Sequence, residues 1–336
     1  LSSLWFSHFC TQRQTPSIMK GAFVLATVAA AEPSFEEWKD MFQIQTNGAE
    51  EEMKVKYNAN VASIQAMNAE NNGATFAVNQ FAAMDQADWK GYLNRSSARD
   101  KTDSPPVLGV HTHDGSELAT SVNWVTKGAV TAVKDQGQCG GCWSFAATGG
   151  LEGANNIASG RLTSLAEQQF LDCDTSDSGC NGGLEYAGWN FFKSAHQGIC
   201  TESSYPYTAR DGSCKQSSCS VGLAAGAIAG VTHVQSGSAS ALQSALNSRP
   251  VAIGIQADQN AFQFYSGGVL TGTCGTNLDH SVLAVGYDTT NSYWLVKNSW
   301  GASWGEKGYV KLSMSGDKCG ILDDASFPVV TASVEV

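Results

Sequence analysis

The stretch QGQCGGCWSF, residues 136–145, gathers the residue types that nucleophilic chemistry needs. Cys142 heads CWSFAATGGLEGANNI, an aromatic and apolar run that predicts a helix beginning at the cysteine. A thiol placed there meets unpaired N–H groups and the positive end of the helix dipole. Both favour the thiolate over a thiol whose ordinary pKa is about 8.5. Six residues earlier, Gln136 carries an amide suited to donate to an oxyanion, and the Gly-rich turn between them lets backbone N–H groups come close. Downstream, LDHSVLAVGY sets His280 at the head of an apolar, strand-like run, and YWLVKNSWGASWGEKGY sets Asn298 and Trp300 at the end of another. A thiolate nucleophile requires an imidazole as ion-pair partner and proton shuttle, and the imidazole requires a third polar group to hold its orientation. Cys142, His280 and Asn298 supply these in that chain order. The chemistry is acyl transfer: thiolate attack on a carbonyl, an oxyanion held by Gln136 and the Cys142 N–H, protonation of the leaving amine by His280, and hydrolysis of the thioester.

A competing use of the same residues is a dithiol or half a zinc site, since Cys139 and Cys142 form a C-x-x-C pair. No second C-x-x-C occurs in the sequence, and no short βαβ pattern surrounds this one. The expectation is therefore no metal and no cofactor.

The elements that must position these groups fall into two sets. After Cys142 the pattern is helical. Later, VAIGIQ (251–256), HSVLAVGY (280–287), YWLVKNS (293–299) and GYVKLS (308–313) alternate as strands between turn residues. Residues 32–93 form a separate region with helical periodicity: Phe35, Trp38 and Phe42 share one face, and Tyr57, Asn60, Ile64 and Asn68 continue at helical steps. FAVNQFAAM (76–84) alternates like a strand. Residues 94–117 are polar, contain Pro and lack a period, and predict a linker; Asn94-Arg95-Ser96 is a glycosylation sequon within it, and His111 and His113 are candidate pH sensors near a cleavage region. Met19-Lys20 followed by GAFVLATVAAA predicts a signal peptide over 19–31, with translation starting at Met19 and residues 1–18 as upstream read-through. That apolar run is too short to span a bilayer.

The net charge of −11 argues against nucleic acid as a partner, and ten cysteines suit an oxidising compartment or its acidic descendants. Residues 32–117 hold 7 basic and 14 acidic residues, and residues 118–336 hold 11 and 17. Both parts are acidic, so bulk attraction does not hold one on the other.

The motifs around Cys142, His280, Asn298 and Trp300 resemble those of papain-family cysteine proteases of the cathepsin L-like branch. His and Asn follow the Cys here by 138 and 156 residues, against about 130–150 in the family signature. Gly141 departs from that signature, which has Ser or Ala before the nucleophile. Tyr57, Asn60, Ile64 and Asn68 match the long-helix signature of the family's inhibitory propeptide. Its Glu and Arg positions fall instead on Ala49 and Met53, with Glu50 and Lys54 one step out of register. In its next motif Asn79 and Phe81 match, whereas Ala77 and Ala83 stand where Gly and Asp are usual.

The resemblance implies an α+β, papain-like two-lobe fold, with a helical left lobe and a β-barrel-like right lobe. A helical inhibitory prodomain (32–93) and a propeptide linker (94–117) precede a peptidase domain over 118–336. It implies disulfides Cys139–Cys180, Cys173–Cys214 and Cys274–Cys319; Cys200 and Cys219 are then left to pair. Gly182 and Gly183 would align an extended substrate. Trp300 would shield the His–Asn pair. Leu184, Tyr186, Gly254, Leu278 and Asp324 would line the S2 pocket beside Asp279. Leu184 and Leu278 favour an apolar P2 side chain, and Asp324 adds tolerance of a basic one. The implied protein is a monomeric endopeptidase zymogen of the secretory pathway, acting in a lysosome-like vesicle or outside the cell. Its partners would be polypeptide substrates, its own propeptide and cystatin-type inhibitors. A catalytically silent, peptide-binding homologue is the other class that the same motifs allow.

Overall fold

The computed structural model describes residues 32–70, 72–93, 107–272 and 274–331. The expected signal peptide, residues 1–18 and the Asn94 sequon lie outside the described residues.

The N-terminal region is built by its caps and its buried asparagines. Ser34 starts α1 (Phe35–Phe42) with a capping box, in which Glu37 accepts from the Ser34 N–H at 2.8 Å. Phe35 and Trp38 pack on Tyr57 of α2 (Glu50–Ala69), with ring centroids 5.6 and 5.1 Å away. Asn60 donates to the carbonyls of Ala82 and Met84, and Asn68 both donates to and accepts from the backbone of Phe76. These polar positions of the helical pattern thus satisfy the backbone of the segment that follows. That segment is not the long strand expected over 76–84. The strand β1 (Ala74–Phe76) stops at Phe76, and Asn79 turns the chain by accepting from the Phe81 N–H at 3.0 Å. Asp85 then caps α3 (Gln86–Tyr92).

The order continues β2 (Gly109–His111), β3 (Ser121–Asn123), α4 (Cys142–Ser159), α5 (Glu167–Cys173), α6 (Glu185–Ser194), β4 (Ile199–Cys200), β5 (Val221–Leu223), β6 (Ile228–Val234), α7 (Ala239–Ser248), β7 (Val251–Ile255), α8 (Asn260–Gln263), β8 (Tyr265–Leu270), β9 (His280–Asp288), β10 (Tyr293–Lys297), β11 (Tyr309–Ser313) and β12 (Ala325–Val330). Among the described residues, ten strands share one sheet in the order β1-β8-β11-β10-β9-β7-β12-β6-β2, with β3 paired to the far end of β9. The path is open rather than a closed barrel: its ends, β1 and β2, both come from the N-terminal region. β2 lies within the expected linker, where Gly109–His111 runs parallel to β6. There His111 is hydrogen-bonded to Ser244 at 3.1 Å, and partial burial holds its imidazole below the usual range.

The helical half is α4, α5 and α6, bound by disulfides Cys139–Cys180, Cys173–Cys214 and Cys200–Cys219; Cys274–Cys319 lies on the sheet side. Helix α4 is buried continuously from Cys142 to Ala154 apart from Phe145, as a helix sandwiched between layers must be. It lies so close to β9 that a Cβ on Gly149 would come within 2.9 Å of the Leu283 side chain.

Candidate active site

Cys142 is fully buried, is the first residue of α4, and stands outside the four disulfides. A charged cluster fixes the helix behind it. Glu152 of α4 accepts from Lys134 Nζ (3.2 Å), the Leu165 N–H (2.9 Å) and Thr131 Oγ1 (2.6 Å). Lys134 also donates to Glu167 Oε1 at 2.6 Å, which Thr148 Oγ1 of α4 reaches as well. Burial opposes ionisation of Glu152, but Lys134 and then Lys297 outweigh it, holding the carboxyl below its usual range. Glu167 goes the other way: burial pushes it up to about 8, with Lys134 opposing and Glu152 adding to the rise. Two buried carboxylates on one lysine thus share the work unequally.

The sheet brings the second group. His280 opens β9 and is fully buried. Phe145 and Ala146 of α4 and Ser281, Val282 and Asn298 of the sheet side line one small cavity of about 20 Å³, so the first turn of α4 faces the start of β9. His280 Nε2 donates to Asn298 Oδ1 at 2.8 Å, and the Ser299 N–H donates to the same oxygen at 2.8 Å. A backbone N–H requires an oxygen there, so the amide orientation is set. The ring proton therefore sits on Nε2, and Nδ1 is the nitrogen available for proton transfer. Trp300 stacks on the imidazole, with centroids 4.6 Å apart and an interplanar angle of 21°.

Gln136 is held as firmly. Its Oε1 accepts from Ser299 Oγ (2.7 Å) and Trp300 Nε1 (3.1 Å), its backbone N–H donates to the Ser299 carbonyl (2.8 Å), and Tyr207 donates to its carbonyl (2.9 Å). Two donors on Oε1 fix the amide, and Nε2 spends one of its two hydrogens on the Cys139 carbonyl at 3.0 Å. The Gln136 amide, His280, Asn298 and Trp300 are thus one hydrogen-bonded and stacked unit.

The residues expected along a substrate come from two parts of the chain. Gly182 (φ 104°) turns the chain, and Gly183 lies against the Trp143 indole, where a Cβ would come within 2.6 Å. Leu184 is fully buried, and Tyr186 packs edge-on to His233 at 4.9 Å. On the sheet side the Gly254 N–H donates to the Asp324 carbonyl at 2.8 Å, and half-buried Leu278 packs beside Gly320. Asp279 accepts from the Ala257 N–H at 2.7 Å; burial, with a contribution from Asp258, pushes it up to about 7. One residue of this region was not foreseen. Glu185 is fully buried between Leu184 and Tyr186 and accepts from Ser281 Oγ at 3.0 Å. A glutamate that opens a helix reads from sequence as a solvated first-turn acid; its place between two residues already assigned to the pocket was the available signal.

The N-terminal region covers this site. Phe81, Trp89 and Tyr92 pack with Trp300 into one aromatic cluster, Trp89 and Trp300 being 4.9 Å apart. Trp89 Nε1 donates to the Ala257 carbonyl at 3.0 Å, and Gln80 Nε2 to the Trp300 carbonyl at 2.7 Å. Tyr92 reaches furthest in. Burial raises its phenol well above the usual range, with further contributions from Asp135, Cys142 and Tyr207.

Residues 118–329 match the family model described as papain family cysteine protease. Digestive cysteine proteinase 2 of Homarus americanus is 43% identical over 321 residues, 90% of this chain and 96% of that protein. Among solved structures, digestive procathepsin L 3 of the Tenebrio molitor larval midgut is similar with a TM-score of 0.79 at 35% identity, covering 88% of this chain and 97% of that one. The Amb a 11 cysteine protease, a major ragweed pollen allergen, is similar in its proform with a TM-score of 0.78 at 34% identity, over 88% and 94% of the two chains.

Proposed function

The chain belongs to the papain family of cysteine proteases and is a cathepsin L-like cysteine endopeptidase, and from that premise we propose that Cys142, His280 and Asn298 are its catalytic triad and residues 32–117 its inhibitory propeptide. The observation that carries the triad is the shared Oδ1 of Asn298, which accepts from both His280 and the Ser299 N–H. It leaves Nδ1 to take the Cys142 proton and to return it to the leaving amine. The thiolate attacks the scissile carbonyl. The developing oxyanion is met by the second hydrogen of Gln136 Nε2 and by the Cys142 N–H at the start of α4. Water then attacks the thioester with His280 as base, and the free acid leaves. Trp300, stacked on the imidazole, keeps water from the His280–Asn298 bond.

Gly182 and Gly183 present backbone to an extended substrate in this scheme, and the S2 pocket lies between Leu184 and Leu278. Tyr92, buried within electrostatic reach of Cys142, is what keeps substrate out of the intact precursor. The disulfides and acidic composition suit the secretory pathway, with work in a lysosome-like vesicle or outside the cell. The test is hydrolysis of fluorogenic peptides by the purified chain after acid treatment under mild reductant, beside Cys142→Ala. Activity that appears as residues before about 118 are lost, and that the variant lacks, is the expected result. A wild-type chain that loses this segment and cleaves nothing refutes the assignment in favour of a peptide-binding homologue.

A further inference from the structure

The two oxyanion donors belong to different parts of the molecule, and their spacing must be held. Gln136 is tied to the sheet side by three bonds, to the Ser299 carbonyl, Ser299 Oγ and Trp300 Nε1. Cys142 belongs to the helical half as the first residue of α4. The turn that joins them, residues 137–141, contains three glycines and has little stiffness of its own. Its middle is pinned by the Cys139–Cys180 disulfide. Tyr207 touches both of its ends. The Tyr207 hydroxyl donates to the Gln136 carbonyl at 2.9 Å. The same oxygen lies against Gly141, where a Cβ would come within 3.2 Å of it. The ring meets Phe145, in the first turn of α4, edge-on with centroids 4.8 Å apart.

The brace is itself held. The Tyr207 N–H donates to Glu202 Oε1 at 3.0 Å, and the Thr208 N–H to Gln168 Oε1 of α5 at 2.8 Å. The loop that carries it, between β4 and β5, is closed by Cys200–Cys219 and tied to α5 by Cys173–Cys214. Burial raises the phenol well above its usual range, with Glu167 and Cys142 adding to the rise, so the hydroxyl stays a donor at neutral and acid pH. We propose that Tyr207 is a positioning residue for acyl transfer: it holds Gln136 Nε2 and the Cys142 N–H at the spacing the oxyanion requires. It acts through the turn and touches no substrate. The proposal rests on the peptidase assignment above and adds a residue to its mechanism. The spacing matters only as charge develops on the carbonyl oxygen, so loss of the brace falls on kcat and spares KM.

The experiment compares the activated wild-type enzyme with Tyr207→Phe, which keeps the ring on Phe145 and removes only the hydroxyl. Three readings are taken: hydrolysis of a fluorogenic peptide, inhibition by a peptide nitrile of the same sequence, and inactivation by iodoacetamide. The nitrile takes Cys142 Sγ at its carbon, one C–N electron pair passes to nitrogen and His280 protonates it, so the thioimidate nitrogen stands where the oxyanion would. Iodoacetamide is attacked at its methylene carbon with loss of iodide, and no oxyanion forms. In Tyr207→Phe, kcat is expected to fall by about 3- to 10-fold, the range for one neutral hydrogen bond, with KM unchanged. Nitrile affinity should fall by a similar factor, and the alkylation rate should stay within about twofold of wild type, a difference too small to mark loss of a hydrogen bond. Unchanged kcat and nitrile affinity overturn the proposal, as does a rise in KM alone. Alkylation slowed in proportion to hydrolysis also overturns it, because the hydroxyl then supports the site as a whole. Wild type that is alkylated at Cys142 but cleaves no peptide refutes the peptidase assignment itself, and this proposal with it.

Discussion

Trp89→Ala in the intact precursor should loosen the propeptide and leave the enzyme fold whole. Trp89 is fully buried, stacks on Tyr92 with centroids 5.4 Å apart, meets the edge of Trp300 at 4.9 Å, and donates to the Ala257 carbonyl. Removing an enclosed Trp costs about 3–5 kcal/mol. Breaking the indole hydrogen bond strands a carbonyl and adds about 1 kcal/mol. Part of this loss falls on the propeptide's own packing, because Phe81 and Tyr92 lie on the same side of the interface. Assigning roughly half to docking gives about 2–3 kcal/mol, or about 30- to 150-fold more of the undocked form at 1.4 kcal/mol per decade. The assay is the alkylation rate of Cys142 in uncleaved precursor at neutral pH, with the labelled site located by peptide mapping. The rate should rise by that factor. A variant with an unchanged thermal transition and an unchanged labelling rate would refute the idea that the aromatic cluster holds the propeptide on the site.

Gln136→Ala should lower kcat of the activated enzyme by about 10²–10³-fold, the usual loss of one oxyanion donor. Because Gln136 also anchors Ser299 and Trp300, KM should move little if its role is in the transition state, and a rise in KM with constant kcat would count against that role. Lys134→Met leaves Glu152 and Glu167 buried without their main counter-ion and should destabilise by about 3–5 kcal/mol. In that variant both carboxylates have folded pKa values above their unfolded ones. The deficit should therefore be full at pH 8 and shrink as the pH falls through those raised values toward 5, as thermal scans at several pH values would register.

The parts of the fold that were legible were those in which one residue type has one use. VAIGI, HSVLAVGYD, YWLVK and YVKLS became β7, β9, β10 and β11 within two residues of the expected ends. The strands β6, β8 and β12 escaped because their local signals point elsewhere: YSGGVL carries two glycines, and ASFPVV carries a proline at a register position opposite Val231. Their strand state comes from the sheet on both sides. The same split holds at the site. Cys142, His280, Asn298 and Gln136 are each chemically distinctive where they stand. Lys134, Glu152, Glu167 and Glu185 look like ordinary surface charges in the sequence, and only packing reveals that Lys134, Glu152 and Glu167 form one inner cluster and that Glu185 is buried on Ser281. The edges of the sheet were equally hidden, since nothing in GVH marks it as the strand that pairs with β6.

How acid acts on the precursor follows from these same charges. The Glu and Arg positions of the family's propeptide signature are Ala49 and Met53 here, so the response must lie elsewhere. One candidate is Lys56, which bridges Glu52 (3.0 Å), Asp85 (3.3 Å) and Asp88 (2.7 Å). Backbone hydrogen bonding from Asp88, with help from Lys56, holds the Asp85 carboxyl below its usual value of 3.8. Its stabilisation is present above that value and is lost only as the pH falls through the depressed one, so this cluster stays intact at pH 5. The other candidate is Asp279, pushed up to about 7 on the backbone that Trp89 and Lys90 cover. A carboxyl with a raised folded pKa destabilises the folded precursor in full at pH 8; the penalty shrinks steadily as the pH falls through about 7 and is gone only below the ordinary carboxyl value of 3.8. Mild acid therefore tightens this contact. Neither site favours release near pH 5, so the expected route is proteolysis in residues 94–117. Cys142→Ala precursor, unable to cut itself, should keep its propeptide docked at pH 5 and resist added protease within residues 32–93. Replacing Asp279 by Asn in that background should raise the thermal transition at pH 8 and change it little at pH 4. Dissociation of the uncut segment between pH 6 and 5, seen as a jump in Trp fluorescence and protease sensitivity, would refute this account.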